Sequence, residues 1–299
     1  MNPAEWLVRT ARLNPNADAL LRGSKSVASY AEFARRAAAL GTSLRERLGV
    51  QAGGRVGIFM SNRIEYLEAL YGIWFAGAIA VPINAKLHPR EAAWIIQDAG
   101  ATVVFSDTAH SAALGGVAPA CVKAIIEPDR PEYAGLLADE PMTAPCSMTG
   151  DDVAWLFYTS GTTGRPKGVM ITARNLQTMA LAYLADVDQV YRRDAALYAA
   201  PLSHGAGLYN FMHAIRGARH VVPESGSFDV EEIARLAPQV GDVSMFAAPT
   251  MVRRLVDHAS RSGWAGEGIR TIVYGGGPMY LADIVEAVEV MGPRFVQIY

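Results

Sequence analysis

Cysteine is scarce in this sequence, with two residues, Cys121 and Cys146, in 299. They stand far apart and outside any CxxC pattern, which argues against a disulfide framework or a cysteine zinc site and fits a reducing cytoplasm. Net charge is also nearly absent, at a formal −2. No electrostatic footprint therefore favours nucleic acid or an anionic membrane surface. Long hydrophobic runs are missing too. The most apolar stretch, Leu70 to Ile83 (LYGIWFAGAIAVPI), is too short and too interrupted by Gly and Pro to be a transmembrane segment. It reads as a buried helix running into a strand. The opening residues, MNPAEWLVRTARLNP, carry Pro3 and Glu5 and no apolar core of signal-peptide length. No internal repeat or low-complexity tract is evident.

What is present is an ordinary globular composition, 51% hydrophobic and 19% charged, in a chain long enough for one large domain or two fused lobes. A short helix is expected over 3–12, then short strands at 19–21 and 27–29. Tyr30 to Leu48 has apolar residues at helical spacing (Phe33, Ala37, Leu40, Leu44, Leu48) and ends at Gly49. Its Arg35, Arg36, Arg45 and Arg47 read as a solvated face. Strand and helix then alternate: strand 55–60, helix 63–76 capped by Ser61 or Asn62, strand 79–83, helix 89–98, strand 102–105. Further strands are expected at 195–199, 219–222, 243–246 and 271–274, with helices at 206–216, 229–237, 248–258 and 280–290. This alternation implies an α/β fold, two similar lobes of mostly parallel sheets flanked by helices. The turn-rich stretch Asp139 to Asp152 is the expected boundary, giving lobes of about 1–145 and 146–299.

The chemistry concentrates in Tyr158 to Met170, YTSGTTGRPKGVM, between the apolar run Val153–Phe157 and a second β-rich run, Gly168–Thr172. Gly161 and Gly164 allow tight turns that bring backbone N–H groups close to an anion. The hydroxyls of Thr159, Ser160, Thr162 and Thr163 can donate to phosphate oxygens, and Lys167 adds a point charge. A hairpin turn or linker is the bland alternative. The loop is not the common nucleotide-binding loop in which Ser or Thr follows the lysine, because Gly168 stands there. After Thr172, which can cap it, a helix is expected from Ala173 to Leu184.

YTSGTTGRPKGV resembles the signature loop of the adenylate-forming superfamily: acyl-CoA synthetases, peptide-synthetase adenylation domains and luciferases. The resemblance implies a loop that holds the β- and γ-phosphates of ATP while a carboxylate attacks the α-phosphorus, giving an acyl-adenylate and pyrophosphate. VPINAKLHPRE (Val81 to Glu91) is similar to another segment of acyl-CoA synthetases, in which Lys86 and His88 read as surface or capping groups. Pro201-Leu202-Ser203-His204-Gly205 follows a strand and precedes a helix, where open α/β sheets bind ligands. By resemblance, His204 and Gly205 meet the acyl carboxylate, and Met251, after Ala248-Pro249-Thr250, lines the acyl pocket. Core packing accounts for Met251 equally well. Peptide-synthetase domains place an Asp in the segment after His204, and none occurs here before Asp229, which favours a plain carboxylic acid. Gly275, Gly276, Gly277 and Pro278 resemble the segment that borders adenine, although a tight strand-to-helix turn also uses glycines.

Tyr299 stands where the family's Y-G-x-T-E motif begins, and its Tyr stacks on adenine. The glutamate of that motif, which holds Mg²⁺, would follow the last residue, as would the mobile C-terminal domain with its catalytic lysine. These 299 residues are therefore expected to be the N-terminal part of an acyl-CoA synthetase and inactive alone. Acid-dependent ATP–pyrophosphate exchange by this polypeptide would contradict that. The implied substrates are a carboxylic acid, ATP with Mg²⁺, and CoA. The alternatives are an enzyme that loads a carrier protein, a non-catalytic nucleotide-binding module, or another phosphate-binding α/β enzyme such as a kinase. Leu208-Tyr209-Asn210-Phe211-Met212 hints at a fatty or aromatic acid. Homo-oligomeric association through apolar surface near Phe295 to Tyr299 stays open.

Overall fold

The computed structural model describes residues 1–159 and 165–298. In chain order the first strands are β1 (Asp18–Arg22), β2 (Lys25–Ser29), β3 (Arg55–Phe59), β4 (Ile79–Pro82), β5 (Val103–Ser106) and β6 (Ala124–Ile126). They are followed by β7 (Val153–Thr159), β8 (Lys167–Thr172), β9 (Ala195–Leu197), β10 (Arg219–Val222), β11 (Val243–Ala247), β12 (Ile269–Tyr274) and β13 (Phe295–Gln297). The chain divides into two compact units.

The first unit comprises Met1–Pro15 and Tyr30–Met179. Its sheet runs β6-β5-β3-β4-β7-β8, parallel except for the antiparallel β7–β8 pair. Helix Ile64–Phe75 is buried on nearly every side, which is why its sequence is apolar all round rather than striped. It lies close against helix Tyr30–Glu46. A Cβ on Gly72 would stand 2.7 Å from that of Leu40, and one on Gly41 the same distance from that of Phe75. Trp74 donates its indole N–H to the Ala154 carbonyl at 2.9 Å, so this helix also ties β7 down.

The second unit comprises Asn16–Ser29 and Ala180–Tyr299. Its sheet runs β13-β12-β11-β9-β10-β1-β2, parallel apart from the β1–β2 hairpin. The sheet buries Leu197, Met245 and Ile272 against helices Val230–Val240, Pro249–Ser262 and Leu281–Met291, which contribute Ile233, Leu255 and Ala287. Among the described residues no helix is long and apolar enough to cross a membrane.

Several expectations need correction. The division does not fall at 145/146. β7 and β8 complete the first sheet, and the hairpin near the N-terminus joins the second. The turn-rich stretch 139–152 is pinned inside the first unit, where Cys146 donates its backbone N–H to the Phe75 carbonyl at 2.9 Å. Arg63 is the N-cap residue of helix Ile64–Phe75, without a side-chain cap. Ser61 instead gives its N–H to Asp107 at 2.9 Å. The solvated-face reading holds for Arg35 and, just past the helix end, Arg47, which are exposed while donating to the carbonyls of Leu137 and Gly135. It fails for the half-buried Arg36 and Arg45 of helix Tyr30–Glu46, which pair with Glu68 and reach the Ala76 carbonyl. The helix expected over 173–184 is α-helical from Ala173 to Ala182 and continues as a π-turn over Tyr183–Val187. Helices Thr108–Gly115 and Pro131–Leu137 were not foreseen, and neither was β6. Phe295 packs against the core of the second unit. The exposed large apolar side chains of the preceding segment are Tyr280, Leu281, Val285 and Val288.

Candidate functional site

In the first unit, the stem of the hydroxyl-rich loop is a paired hairpin. Thr159 on β7 stands across from Lys167 on β8, and Tyr158 across from Gly168. The Tyr158 ring covers Gly168 so closely that a Cβ there would lie 2.9 Å from its Cζ. The tyrosine hydroxyl donates to Asp98 at 2.6 Å. Burial, then the adjacent carboxylate, raise that phenol well above its ordinary value, so it stays a neutral donor. The consequence is a rigid base from which Thr159 and Lys167 project into solvent. Thr172 does cap the next helix: its hydroxyl accepts from the Asn175 N–H at 3.2 Å while Asn175 accepts from the Thr172 N–H at 3.0 Å. His88 likewise caps helix Pro89–Ala99, in a reciprocal box with Glu91. Ser160, Gly161, Thr162, Thr163, Gly164 and Tyr299 lie outside the described residues.

In the second unit, β9, β11 and β12 are parallel neighbours, so their carboxyl ends share one edge of the sheet. His204, Pro249 and Gly275 follow those ends. Phe246, near the end of β11, joins the segments. A Cβ on Gly205 would lie 3.1 Å from its ring, and one on Gly276 would lie 4.0 Å from it. The structure thus brings the His204–Gly205 turn and the Gly275–Pro278 turn together around a phenylalanine that the sequence did not single out. Its aromatic partner is Tyr209, with ring centroids 5.4 Å apart.

His204 is the N-cap residue of the short helix Gly205–Leu208, and Ser203 Oγ lies 2.9 Å from its Nδ1. Half-burial lowers its pKa from the ordinary value, so the ring is neutral near pH 7. Met251 sits in the first turn of helix Pro249–Ser262 and packs against the sheet core. The three glycines differ in their reasons. Gly275 is buried, and a Cβ there would meet the Ile298 carbonyl oxygen at 2.8 Å. Gly276 has a left-handed φ of 77°. Gly277 is exposed, with Pro249 no nearer than 3.8 Å to a Cβ. Gly277→Ala is therefore expected to change unfolding free energy by no more than about 0.5 kcal/mol, and Gly275→Ala to cost about 1–3 kcal/mol by overpacking. Urea titrations of both variants check this, and equal losses would contradict it.

Beneath Phe246 and Tyr209 lies a small cavity of about 10 Å³, lined among others by Tyr183, Ala206, His213 and Ser244. One wall of it is fixed by charge. Arg270 donates to both carboxylate oxygens of Asp188 at 2.8 Å each and to Ser244 Oγ at 3.0 Å, and it pairs with the buried Asp194 at 2.9 Å. Sequence patterning misses these residues because they lie on four different elements. Among the described residues no group of three or more His, Cys, Asp or Glu could hold a metal ion.

Comparison with known proteins matches residues 7–299 to the family described as "AMP-binding enzyme". A feruloyl-CoA synthase from Amycolatopsis sp is 33% identical over 98% of this chain. The chain spans 58% of that relative's length. Two solved structures share the fold over nearly the whole chain. The N-terminal domain of FACL13 from Mycobacterium tuberculosis has a TM-score of 0.89 at 26% identity, over 100% of this chain and 76% of that one. O-succinylbenzoate coenzyme A synthetase from Bacillus subtilis, in complex with AMP, has a TM-score of 0.82 at 27% identity, over 98% and 72%.

Proposed function

The chain belongs to the AMP-binding enzyme family, and from that premise we propose that it serves the ATP-dependent activation of a carboxylic acid and its transfer to CoA. In this reading a carboxylate oxygen attacks the α-phosphorus of ATP and pyrophosphate leaves. The CoA sulfur then attacks the acyl carbon and AMP departs. Lys167 and the hydroxyls of Thr159, Ser160, Thr162 and Thr163 hold the β- and γ-phosphates, helped by backbone N–H groups at Gly161 and Gly164. Gly275 to Pro278 offer bare backbone to the adenine, and Tyr299 stacks on it. His204 and Gly205 meet the acid carboxylate, where a neutral imidazole can donate one hydrogen bond. Mg²⁺ accompanies the nucleotide and offsets phosphate charge.

The observation that carries the reading is the convergence of the His204–Gly205 and Gly275–Pro278 turns on Phe246, at the carboxyl ends of parallel strands. Those turns are predicted for acid and adenine respectively, the two partners that must meet for adenylation. In its natural polypeptide, supplied with Mg·ATP, CoA and a panel of aromatic and fatty acids, the chain is expected to give AMP, pyrophosphate and a CoA thioester in equal amounts. ADP as the nucleotide product would overturn the reading. AMP formation that needs a carrier-protein thiol instead of CoA would move the assignment to carrier loading.

A further inference from the structure

Ser203 and His204 are neighbours in sequence and partners in hydrogen bonding. Ser203 is 6% exposed, and its Oγ lies 2.9 Å from His204 Nδ1. Among the described residues this is the one hydrogen bond the hydroxyl makes. The backbone of the turn is held without it. The His204 N–H donates to the Pro201 carbonyl at 3.1 Å, and the His204 carbonyl accepts from the Gly207 N–H at 3.0 Å. Leu202, beside Ser203, is fully buried. The hydroxyl is therefore not needed to shape the turn, and its contact bears on the imidazole.

Proton counting fixes the direction of that contact. Burial keeps the His204 ring neutral near pH 7, so one ring nitrogen carries a proton and the other a lone pair. If the proton were on Nδ1, the ring would donate to Ser203 Oγ. The hydroxyl proton would then have no acceptor among the described residues, and a buried donor left unpaired is costly. With the proton on Nε2, Nδ1 is an acceptor and takes the hydroxyl proton. The hydrogen bond at one ring nitrogen thus decides what the other offers. The choice has a chemical consequence, because an ionised carboxylate only accepts hydrogen bonds. An Nε2–H attracts it, whereas a bare Nε2 lone pair repels it.

We propose that Ser203 is a positioning residue for the acid: it donates to His204 Nδ1, holds the Nε2–H tautomer, and so makes His204 a donor toward the carboxylate that is activated. The proposal rests on the acid-activation reading, in which His204 meets that carboxylate, and adds to it the group that sets the tautomer.

The tautomer is read directly from the ring-nitrogen resonances of the chain labelled with ¹⁵N-histidine, with those of His204 identified by their absence in His204→Gln. The unmodified chain is expected to show His204 with a protonated Nε2 and a bare Nδ1. Ser203→Ala, which removes only the oxygen, is expected to move both resonances toward the average of the two tautomers. A protonated Nδ1 in the unmodified chain, or a spectrum that Ser203→Ala leaves unchanged, overturns the proposal. Kinetics of the natural polypeptide supply the second readout. Ser203→Ala is expected to raise KM for the acid about tenfold, the loss of about one hydrogen bond to a charged group, and to leave KM for ATP within about twofold. Added to His204→Gln, the same change should have no further effect beyond about twofold, because Ser203 acts through that ring. An equal rise in both KM values, or a full tenfold loss in the His204→Gln background, overturns the proposal in favour of a general loosening of the turn. Absence of AMP with every acid overturns the underlying reading and this use of the tautomer with it. An unshifted spectrum beside normal acid activation overturns the proposal alone.

Discussion

Arg270→Met lowers the unfolding free energy of the second unit by about 3–5 kcal/mol, the usual cost of stranding a buried charge. The size of the effect follows from which partner is buried. Arg270 is 24% exposed, whereas Asp188 is 10% and Asp194 0% exposed. Methionine fills similar volume, so the loss is electrostatic: Asp194 keeps a backbone hydrogen bond from Tyr191 and loses its ion pair with Arg270. Burial already raises the Asp194 pKa above the ordinary carboxylate value, and the substitution raises it further. A carboxylate whose folded pKa is raised binds protons more tightly in the folded state, so its contribution to stability falls as pH rises through that value. The deficit of Arg270→Met is therefore largest at neutral pH and shrinks on acidification as Asp194 takes up a proton. Denaturation at several pH values checks both statements. A deficit that does not change with pH would mean that packing, not charge, is lost. Because Arg270 also holds Ser244, the variant loosens one wall of the small cavity beside Phe246.

The second large effect is in the first unit and turns on the same asymmetry. Glu68 is 1% exposed and accepts from Arg36 at 2.9 Å and from Tyr133 at 2.7 Å, while Arg36 is 26% exposed. Arg36→Met leaves a buried carboxylate with one hydrogen bond, and about 3–5 kcal/mol is lost. Glu68→Gln keeps one acceptor, the amide oxygen, for Arg36, and its amide N–H can donate to the Tyr133 hydroxyl oxygen in place of the lost carboxylate contact, while Arg36 keeps Glu32, 3.9 Å away. That change should cost only about 1–2 kcal/mol. A larger loss for Glu68→Gln than for Arg36→Met would reverse this assignment of the buried partner.

These two networks also mark what the sequence does and does not disclose. Strands and helices of the alternating regions were legible because their period and breakers are local. β3, β4, β10 and helix Pro249–Ser262 begin within a residue of expectation. Arg36 and Glu68, or Arg270 and Asp188, are far apart in sequence, and an arginine on a polar stripe looks the same whether it faces water or a buried carboxylate. The division into units failed for a related reason. Turn-rich composition marks a loop, but only pairing shows that β7 and β8 complete the first sheet. Of the candidate site, Lys167, His204 and the Gly275–Pro278 turn were legible as special residues at strand ends. Phe246 was not, because an aromatic near the end of an apolar strand has no local signature that separates core from site.

The claim on which the functional reading rests is that Mg·ATP binds this chain at the loop that Lys167 closes. The direct test is the melting temperature of the chain with and without millimolar Mg·ATP. A ligand that binds only the folded state stabilises it by about 2.7 kcal/mol at one hundred times its Kd. The account predicts a clear rise in the unmodified chain and none in Lys167→Ala, whose exposed side chain can be removed with little effect on the unliganded melting temperature. An unmodified chain whose melting temperature Mg·ATP leaves unchanged, or an equal rise in Lys167→Ala, would contradict it.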